Sequence, residues 1–422
     1  VIVVGAGVAG LVVARDLAQA GVPVTLVEAA DRIGGQLASI RVADLELDAA
    51  AESFATRGGA VADLAADLGL AADIVLPRAA PAWLVGARGG AHPLPAASVL
   101  GIPADPGAPD VVAAIGRRAA WRARLDAWLP LRRPEAYDSL GDLVGRRMGV
   151  RVRDALVAPV VRGVYSTAPD QLLLAQASPG LPDALRSSRS LAAAVGRLRA
   201  ASPAGSQVAG LRGGVHRLAT ALERDARASG ARIMLGSPVV GLEPHAVVLA
   251  DGSRLRGRVV SAAPAAAGPG LRVREIAVAV AVVDASGLDA APRGTGALIE
   301  QGARGIAARA FTHSSAKWPW LADALPAGRH AVRLSYDGMP DDPEKTVVSD
   351  LEAITGARIE RLIGLDTRTW TRTLDARAPA DGVEAAGEAA SVTGLASIVP
   401  AARQLARRIS TDVTAATGGT EG

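Results

Sequence analysis

The sequence contains no cysteine, which excludes disulfides, thiol catalysis and any cysteine-ligated metal. Aromatic residues make up only 3% of the chain. A cage of aromatic side chains around a bound amine therefore has little to draw on. Lysine is nearly missing: Lys317 and Lys345 stand alone, and the remaining basic residues are arginine. The five histidines, His92, His216, His245, His313 and His330, have no ligand-like spacing, so no metal centre is expected. No apolar stretch approaches the roughly 20 residues that span a bilayer. The longest strand-like run is Ile276 to Val283. No signal peptide precedes the first strand, so a soluble cytoplasmic protein is the expectation. The net charge is +4, and no run of basic residues with interleaved aromatics stands out. No nucleic-acid partner is expected.

At 422 residues, half of them hydrophobic, the chain is long enough for two or three domains with large cores. Its apolar content is mostly alanine, valine and leucine. There are no internal repeats, and the only low-complexity stretch is the Gly/Thr/Glu tail after Ala416.

The most informative segment is VIVVGAGVAGLVVARDLAQAGVPVTLVEAADRIGGQL, from Val1 to Leu37. Val1 to Val4 read as a strand covered on both faces. Gly5 permits a tight turn, Gly7 lets backbone approach a pyrophosphate, and Gly10 lets the next helix pack close to the strand. Leu11, Ala14, Leu17 and Ala18 give that helix its apolar side, and Gly21 stops it. The N–H groups of Val8 and Ala9 would face the phosphates. A second apolar strand, Val22 to Val27, leads to Glu28. That carboxylate can accept hydrogen bonds from both ribose hydroxyls. The fingerprint predicts a dinucleotide site but does not separate NAD from FAD.

The stretch Asp31-Arg32-Ile33-Gly34-Gly35, right after Glu28, resembles the E…R-x-G-G signature of flavoproteins related to glutathione reductase, a superfamily that includes amine oxidases, carotenoid desaturases and porphyrinogen oxidases. In that superfamily the arginine and glycine pair line the diphosphate and ribityl side of FAD. The resemblance therefore implies FAD, with Ala29 and Gln36 beside it. Two returns of the chain to the cofactor are also implied. The first runs from Leu211-Arg212-Gly213-Gly214 through a helix and short strands, the last predicted over Leu255–Val260, to Ala262. There the family's valine, at Val239 or Val240, meets the adenine through its backbone. The second comprises Gly387-Glu388 and Gly394-Leu395-Ala396. Its acid meets the ribityl or diphosphate part, and its last helix, predicted to end at about Ile409, points its N-terminus at the flavin ring.

Four further stretches narrow the resemblance: AESFATRGG (Ala51–Gly59), HPLPAASVLGIP (His92–Pro103), APVVRGVYSTAPDQL (Ala158–Leu172) and THSSAKWPW (Thr312–Trp320). Together they resemble the protoporphyrinogen/coproporphyrinogen oxidase family, most closely its soluble actinobacterial branch. The resemblance covers nearly the whole chain. It implies oxidation of coproporphyrinogen III to coproporphyrin III in haem biosynthesis. Six electrons would leave in three cycles through flavin N5 to O2, with release of H2O2. Protoporphyrinogen IX is the alternative substrate, since membrane-associated members prefer it. An amine oxidase or desaturase, or a flavin-binding relative without turnover, are the other readings. The flavin carries the chemistry, so no Ser/His/Asp set is expected and none is found. The resemblance leaves open the oligomeric state and any contact with the next haem-synthesis enzyme.

The protein must then supply an apolar slot for the macrocycle and cations for its carboxylates. Arg57 is the first candidate cation, read otherwise as an exposed loop arginine. Val164 and Tyr165 are candidates for the slot wall, the tyrosine read otherwise as packing between domains. Lys317 and Trp318 read as structural, and His216 as a solvent-facing helix residue. Three departures from the family stand out. Ala50-Ala51 precedes Glu52 where relatives have glycine-proline or glycine-alanine, and the resemblance implies that a Cβ at Ala50 crowds the flavin or narrows the slot. Arg162 replaces a small residue, as an extra carboxylate contact or an intrusion. Only a short stretch separates Trp370 from Gly387.

The fold expected is α/β. A Rossmann-like FAD-binding domain is assembled from 1–74, 206–268 and 375–422. An α+β substrate-binding part comprises a helical insert, 75–205, and an antiparallel sheet, 269–374. Within the insert, helices are predicted over Asp110–Trp128, Leu140–Met148, Val150–Val161 and Leu191–Leu198.

Overall fold

The computed structural model describes residues 1–422 except 88, 131–132, 179, 201–207, 264–272, 374–381, 391 and 419–422. The expected boundaries at 205/206, 268/269 and 374/375 lie outside the described residues, as do half of the stretch between Trp370 and Gly387 and the end of the Gly/Thr/Glu tail. The chain forms two compact units. One comprises Val1–Pro77, Ser206–Glu275 and Trp370–Gly422; the other comprises Arg78–Gly205 and Ile276–Thr369.

The first unit is built on a parallel sheet. Strand β1 (Ile2–Val4) lies between β2 (Thr25–Val27) and Val259–Ser261, with Arg232–Met234 and Glu384–Ala385 at the two edges. All three residues of β1 are buried, as its unbroken apolar run requires. Helix α1 (Val8–Gln19) crosses back over this sheet. It shares a core with the helix Arg217–Ala228 and the final helix Leu395–Gly418, through residues such as Leu11, Leu222, Val399 and Ala402. Two segments far from α1 in sequence thus pack on it.

Several element boundaries differ from those predicted. The ladder of β2 covers only Thr25–Val27, because Val22–Val24 belong to the turn that leaves α1. The predicted strand Leu255–Val260 splits. Arg254–Arg256 pairs antiparallel with Ala246–Leu249, while Val259–Ser261 joins β1 in parallel. Gly257, at φ 155°, stands between the two sheets. The last helix runs past Ile409 to Gly418.

The second unit holds a seven-stranded sheet in the order Arg361–Thr373, Val273–Asp284, Arg329–Tyr336, Ala310–Thr312, Gly296–Ile299, Trp83–Val85 and Ala91–Pro93. One face buries Ala277, Ala279, Ala281, Val332 and Leu334 beneath the helix Pro343–Thr355. Asp342 caps that helix, its side chain accepting from Lys345 N–H. The hairpin of residues 83–93 comes from the stretch read as mostly helical. Its first strand runs parallel to Gly296–Ile299, so this sheet draws on both parts of the chain that the sequence separates.

The remaining helices of this unit share a core around Leu140, Leu143, Met148, Leu156 and Val161. The single helix predicted over Asp110–Trp128 is broken. Pro109–Ile115 and Arg117–Arg124 are separated by Gly116 at φ 84°, a backbone state that side chains disfavour, and a 3-10 turn follows over Leu125–Ala127. The helix expected to end at Val161 continues to Tyr165, after a wide turn over Arg153–Val157 that accommodates Pro159, which has no N–H to donate. Among the described residues no helix is long and apolar enough to cross a membrane.

Candidate functional site

In the first unit the glycine turn lies between β1 and α1. Gly5 has φ 101°. A Cβ at Gly10 would fall 1.9 Å from the Gly5 carbonyl oxygen, whereas one at Gly7 would meet nothing within 4 Å. Gly10 is therefore required by packing, and Gly7 presents an open face. The first helical hydrogen bond runs from Leu11 N–H to the Gly7 carbonyl at 2.9 Å. The amides of Val8, Ala9 and Gly10 at the start of α1 have no earlier turn to donate to. Open backbone beside a helix N-terminus favours an anion such as a pyrophosphate.

Glu28, at the end of β2, accepts from Ala6 N–H at 2.6 Å and from Ala30 N–H at 2.9 Å. Its remaining lone pairs can receive ribose hydroxyls. Beyond Ala29 the chain returns to the turn. Gly34 N–H donates to the Ala6 carbonyl at 2.8 Å, and Gly34 bridges Gly7. A Cβ at Gly35 would lie 3.3 Å from the Gly7 Cα. Arg32 is exposed and reaches the Gly35 carbonyl at 3.3 Å.

The third segment meets the same turn. Ala386 N–H donates to Ser261, the residue before Ala262, and Ala262 N–H donates to Val4, both at 2.8 Å. Gly387 has φ 61°, and a Cβ there would be 2.7 Å from the Cβ of Ala9. Gln36 Nε2 donates to Glu388 Oε1 at 3.1 Å. Gly394, at φ 78°, leads into the final helix, whose first amides belong to Leu395 and Ala396. Arg57 Nη2 donates to Ser397 Oγ at 3.2 Å, which sets a guanidinium against the first turn of that helix. Charge and helix dipole there have the same positive sign. Glu52 is buried, and Ala50 and Ala51 are half-buried.

Val239 pairs with Leu249 and Gly241 with Val248, so Val240 is the extra residue of a β-bulge and lies 67% exposed. A bulge takes backbone groups out of the ladder and makes them available. With the open face of Gly7, this makes the residues present a fit for a bound dinucleotide.

The second unit carries the other candidates. Arg162 forms an ion pair with Asp337 through Nη2. Arg309, buried at 8% exposure, lies 3.7 Å from the other oxygen of the same carboxylate and donates to the Arg162 carbonyl at 3.4 Å. Val164 is 54% exposed. The Tyr165 hydroxyl donates to the Ala177 carbonyl at 2.6 Å, and its ring borders the helical core. Lys317 Nζ sits 4.9 Å from the ring of the buried Trp318. His313 and His330 form a buried pair, Nε2 to Nδ1 at 3.0 Å, and His330 Nε2 lies 3.1 Å from Asp289. Burial pushes the His313 imidazole down to about 3, with the neighbouring His330 adding to the effect.

The reading of His216 as solvent-facing is corrected. The residue is 8% exposed, and its Nδ1 lies 2.9 Å from Asp48 Oδ1. Asp48 also accepts from the N–H groups of Val215 and His216, so it closes the start of the helix that follows. Asp48, Arg309 and Asp337 were not singled out in the sequence. For Asp337 a signal exists: it follows the strand Arg329–Tyr336 on the alternation that includes Arg333 and Ser335.

The profile of the flavin-containing amine oxidoreductases matches residues 8–275. A protein from Mycobacterium bovis named coproporphyrinogen III oxidase is 30% identical over 370 residues, which cover 82% of this chain and 78% of that one. Its namesake from Mycobacterium leprae is 28% identical over 391 residues, covering 85% and 84%. A solved structure of a candidate protoporphyrinogen oxidase from Exiguobacterium sp. 255-15 superposes with a TM-score of 0.79 at 22% identity, over 97% of this chain and 98% of that one.

Proposed function

The chain belongs to the flavin-containing amine oxidoreductase family, and we propose that it is an FAD-dependent porphyrinogen oxidase acting on coproporphyrinogen III in haem biosynthesis. The carrying observation is the turn around Gly7, where Gly35 and Gly387 abut the turn and α1 from segments far apart in the chain. A nicotinamide site requires the first of these contacts at most. The named relatives, at about 30% identity, support the porphyrinogen substrate.

The α1 amides hold the pyrophosphate, and Glu28 receives ribose hydroxyls. Arg32 and Gln36–Glu388 border the ribityl side, and the Val240 bulge offers backbone to the adenine. Bound FAD supplies the acceptor for the hydride lost by a porphyrinogen carbon. Arg57 and the first turn of the final helix give a fixed positive potential, which favours an anion without reorganisation. In the second unit Arg162 and Arg309 provide charge for a substrate carboxylate, and Val164 provides exposed apolar wall. Loss of six electrons and six hydrogens from each porphyrinogen converts three O2 to three H2O2.

The test is porphyrin fluorescence against time with purified protein, air and coproporphyrinogen III, corrected for spontaneous oxidation. A protein-dependent rise with three peroxides per porphyrin is expected, faster than with protoporphyrinogen IX. A flat trace from protein that carries yellow flavin overturns the proposal.

A further inference from the structure

One charged residue of the second unit stands on an apolar stripe. The helix Pro343–Thr355 buries Val347, Leu351 and Ile354 along one face, and Asp350 lies among them at 1% exposure. That spacing calls for an apolar side chain. Among the described residues no cation pairs with this carboxylate, and burial pushes it above the ordinary carboxylate range. A buried charge without a counter-ion is costly. Core packing therefore does not explain Asp350.

Its hydrogen bonds go to one short segment. Oδ1 accepts from Ala307 N–H at 3.0 Å, and Oδ2 accepts from Ala308 N–H at 2.8 Å. The strand ladder begins at the next residue. Arg309 N–H donates to the Ser335 carbonyl at 2.8 Å, and the Arg309 carbonyl accepts from Ile299 N–H at 3.0 Å. The helix carboxylate thus stands in for a strand partner at the two amides that precede the ladder. Tyr336, on the neighbouring strand, lies beside the same carboxylate. Burial, with the Asp350 charge adding to it, pushes that phenol well above its usual range.

Extended chain presents successive side chains to opposite faces. Ala308 and Tyr336 belong to the core beneath the helix. The residues that follow them, Arg309 and Asp337, leave on the other face. There Arg309 lies 3.7 Å from Asp337 and donates to the Arg162 carbonyl at 3.4 Å, while Asp337 pairs with Arg162. One buried carboxylate therefore stands behind two members of this cluster.

We propose that Asp350 is a positioning residue for substrate recognition. From behind the sheet it sets the Arg309 guanidinium where, with Arg162, it receives a substrate carboxylate. This rests on the reading of the two arginines as the carboxylate site.

A carboxylate suits this task in a way that a neutral side chain does not. Its two oxygens accept the two amides in a fork, which fixes the backbone before Arg309 in direction and rotation. An asparagine offers one acceptor oxygen and turns its NH2 against the second amide. That amide is then buried and unpaired, and the segment shifts to find another partner. Asp350 lies on the helix side of the sheet, so it acts only through Arg309 and its neighbours.

The test compares the flavin-loaded full chain with Asp350→Asn, Arg309→Lys and the double variant, by two readouts. Asp350→Ser, smaller and still an acceptor, is a second variant with the same expectations. The first readout is hydrogen exchange at the amides of Ala307 and Ala308, which needs no substrate. Asp350→Asn should speed it by about tenfold or more. Exchange at the wild-type rate would overturn the proposal. The second readout is the affinity for coproporphyrin III and for its methyl ester, which lacks the carboxylates. Asp350→Asn should weaken binding of the acid by about tenfold, leave the ester unchanged, and add little to Arg309→Lys. Equal losses for acid and ester, or full additivity with Arg309→Lys, would make Asp350 structural only and overturn the proposal. A wild-type protein that binds acid and ester equally would overturn the recognition role through failure of the carboxylate reading; accelerated exchange in Asp350→Asn would then still show the clamp.

Discussion

The carboxylate of Glu28 lies 2.6 Å from the amide nitrogen of Ala6, 22 residues earlier in the chain. One side chain at the end of β2 thus holds the glycine turn while its other oxygen receives Ala30 N–H. Replacing it loosens the turn and, in the function proposed above, also removes a ribose acceptor. Glu28→Ala should raise the FAD dissociation constant about 10- to 100-fold, since each hydrogen bond to a charged group is worth about 1.5–3 kcal/mol. Glu28→Gln, which keeps one acceptor, should fall between. Fluorescence titration of the apoprotein measures both, and an unchanged constant for Glu28→Ala would remove Glu28 from the site.

Gly7 and Gly10 should separate binding from folding. Gly10→Ala forces a Cβ to 1.9 Å from the Gly5 carbonyl oxygen. It should lower the thermal midpoint by an amount equivalent to about 1–3 kcal/mol. Gly7→Ala meets no protein atom within 4 Å, so the apoprotein should melt as wild type while FAD binding weakens. Equal effects of the two on the apoprotein would contradict the open face at Gly7.

Asp126 and Arg147 form an ion pair with both side chains at 3% exposure or less. Asp126→Ala leaves a buried guanidinium without its carboxylate, a change that costs roughly 3–5 kcal/mol. Denaturant unfolding of the second unit should report a loss of that order.

The buried His313–His330 pair makes stability depend on pH. The unfolded chain takes up a proton at His313 near pH 6.5, while the folded chain resists until about 3. Between those values the unfolded state binds more protons, so stability is full above pH 6.5 and falls as pH drops toward 3. The slope from this residue is at most about 1.4 kcal/mol per pH unit. His313→Gln should flatten that dependence, even though it costs hydrogen bonding at every pH. Urea midpoints at pH 7 and pH 5 supply the comparison; parallel lines for the two proteins would refute it.

Asp337 occupies Arg162, and Arg309 lies 3.7 Å from its second oxygen. A carboxylate of the protein thereby competes for the charge that a substrate carboxylate would use. Asp337→Asn should lower the KM for coproporphyrinogen III several-fold, and Arg162→Ala should raise it about tenfold, the worth of roughly one charged hydrogen bond. Steady-state kinetics on both variants decides this, and KM values that do not move would assign the pair to structure.

Much of the first unit was legible because its signals are short-range. Gly5, Gly7, Gly10 and Glu28 lie within one strand–helix–strand unit, where each spacing has one mechanical meaning. The break at Gly116 was not read, because an isolated glycine inside a helical pattern is tolerated as often as it terminates. His216 was misread for a different reason. Its partner Asp48 is 168 residues away, and helical position alone indicates only exposure.

What the sequence determined by itself was therefore the strand–glycine turn–helix unit, the acid that ends β2, and the exclusion of cysteine chemistry. Each rests on residue identity at close spacing. The tertiary structure alone decided that Gly387 closes against Ala9, that Asp337 claims Arg162, and that Asp350 meets the amides of Ala307 and Ala308. Those relationships depend on which strands pair, in what register, and on which side of a helix finds a core. Local patterns do not encode them, because pairing and burial are settled by segments hundreds of residues apart competing for the same surface.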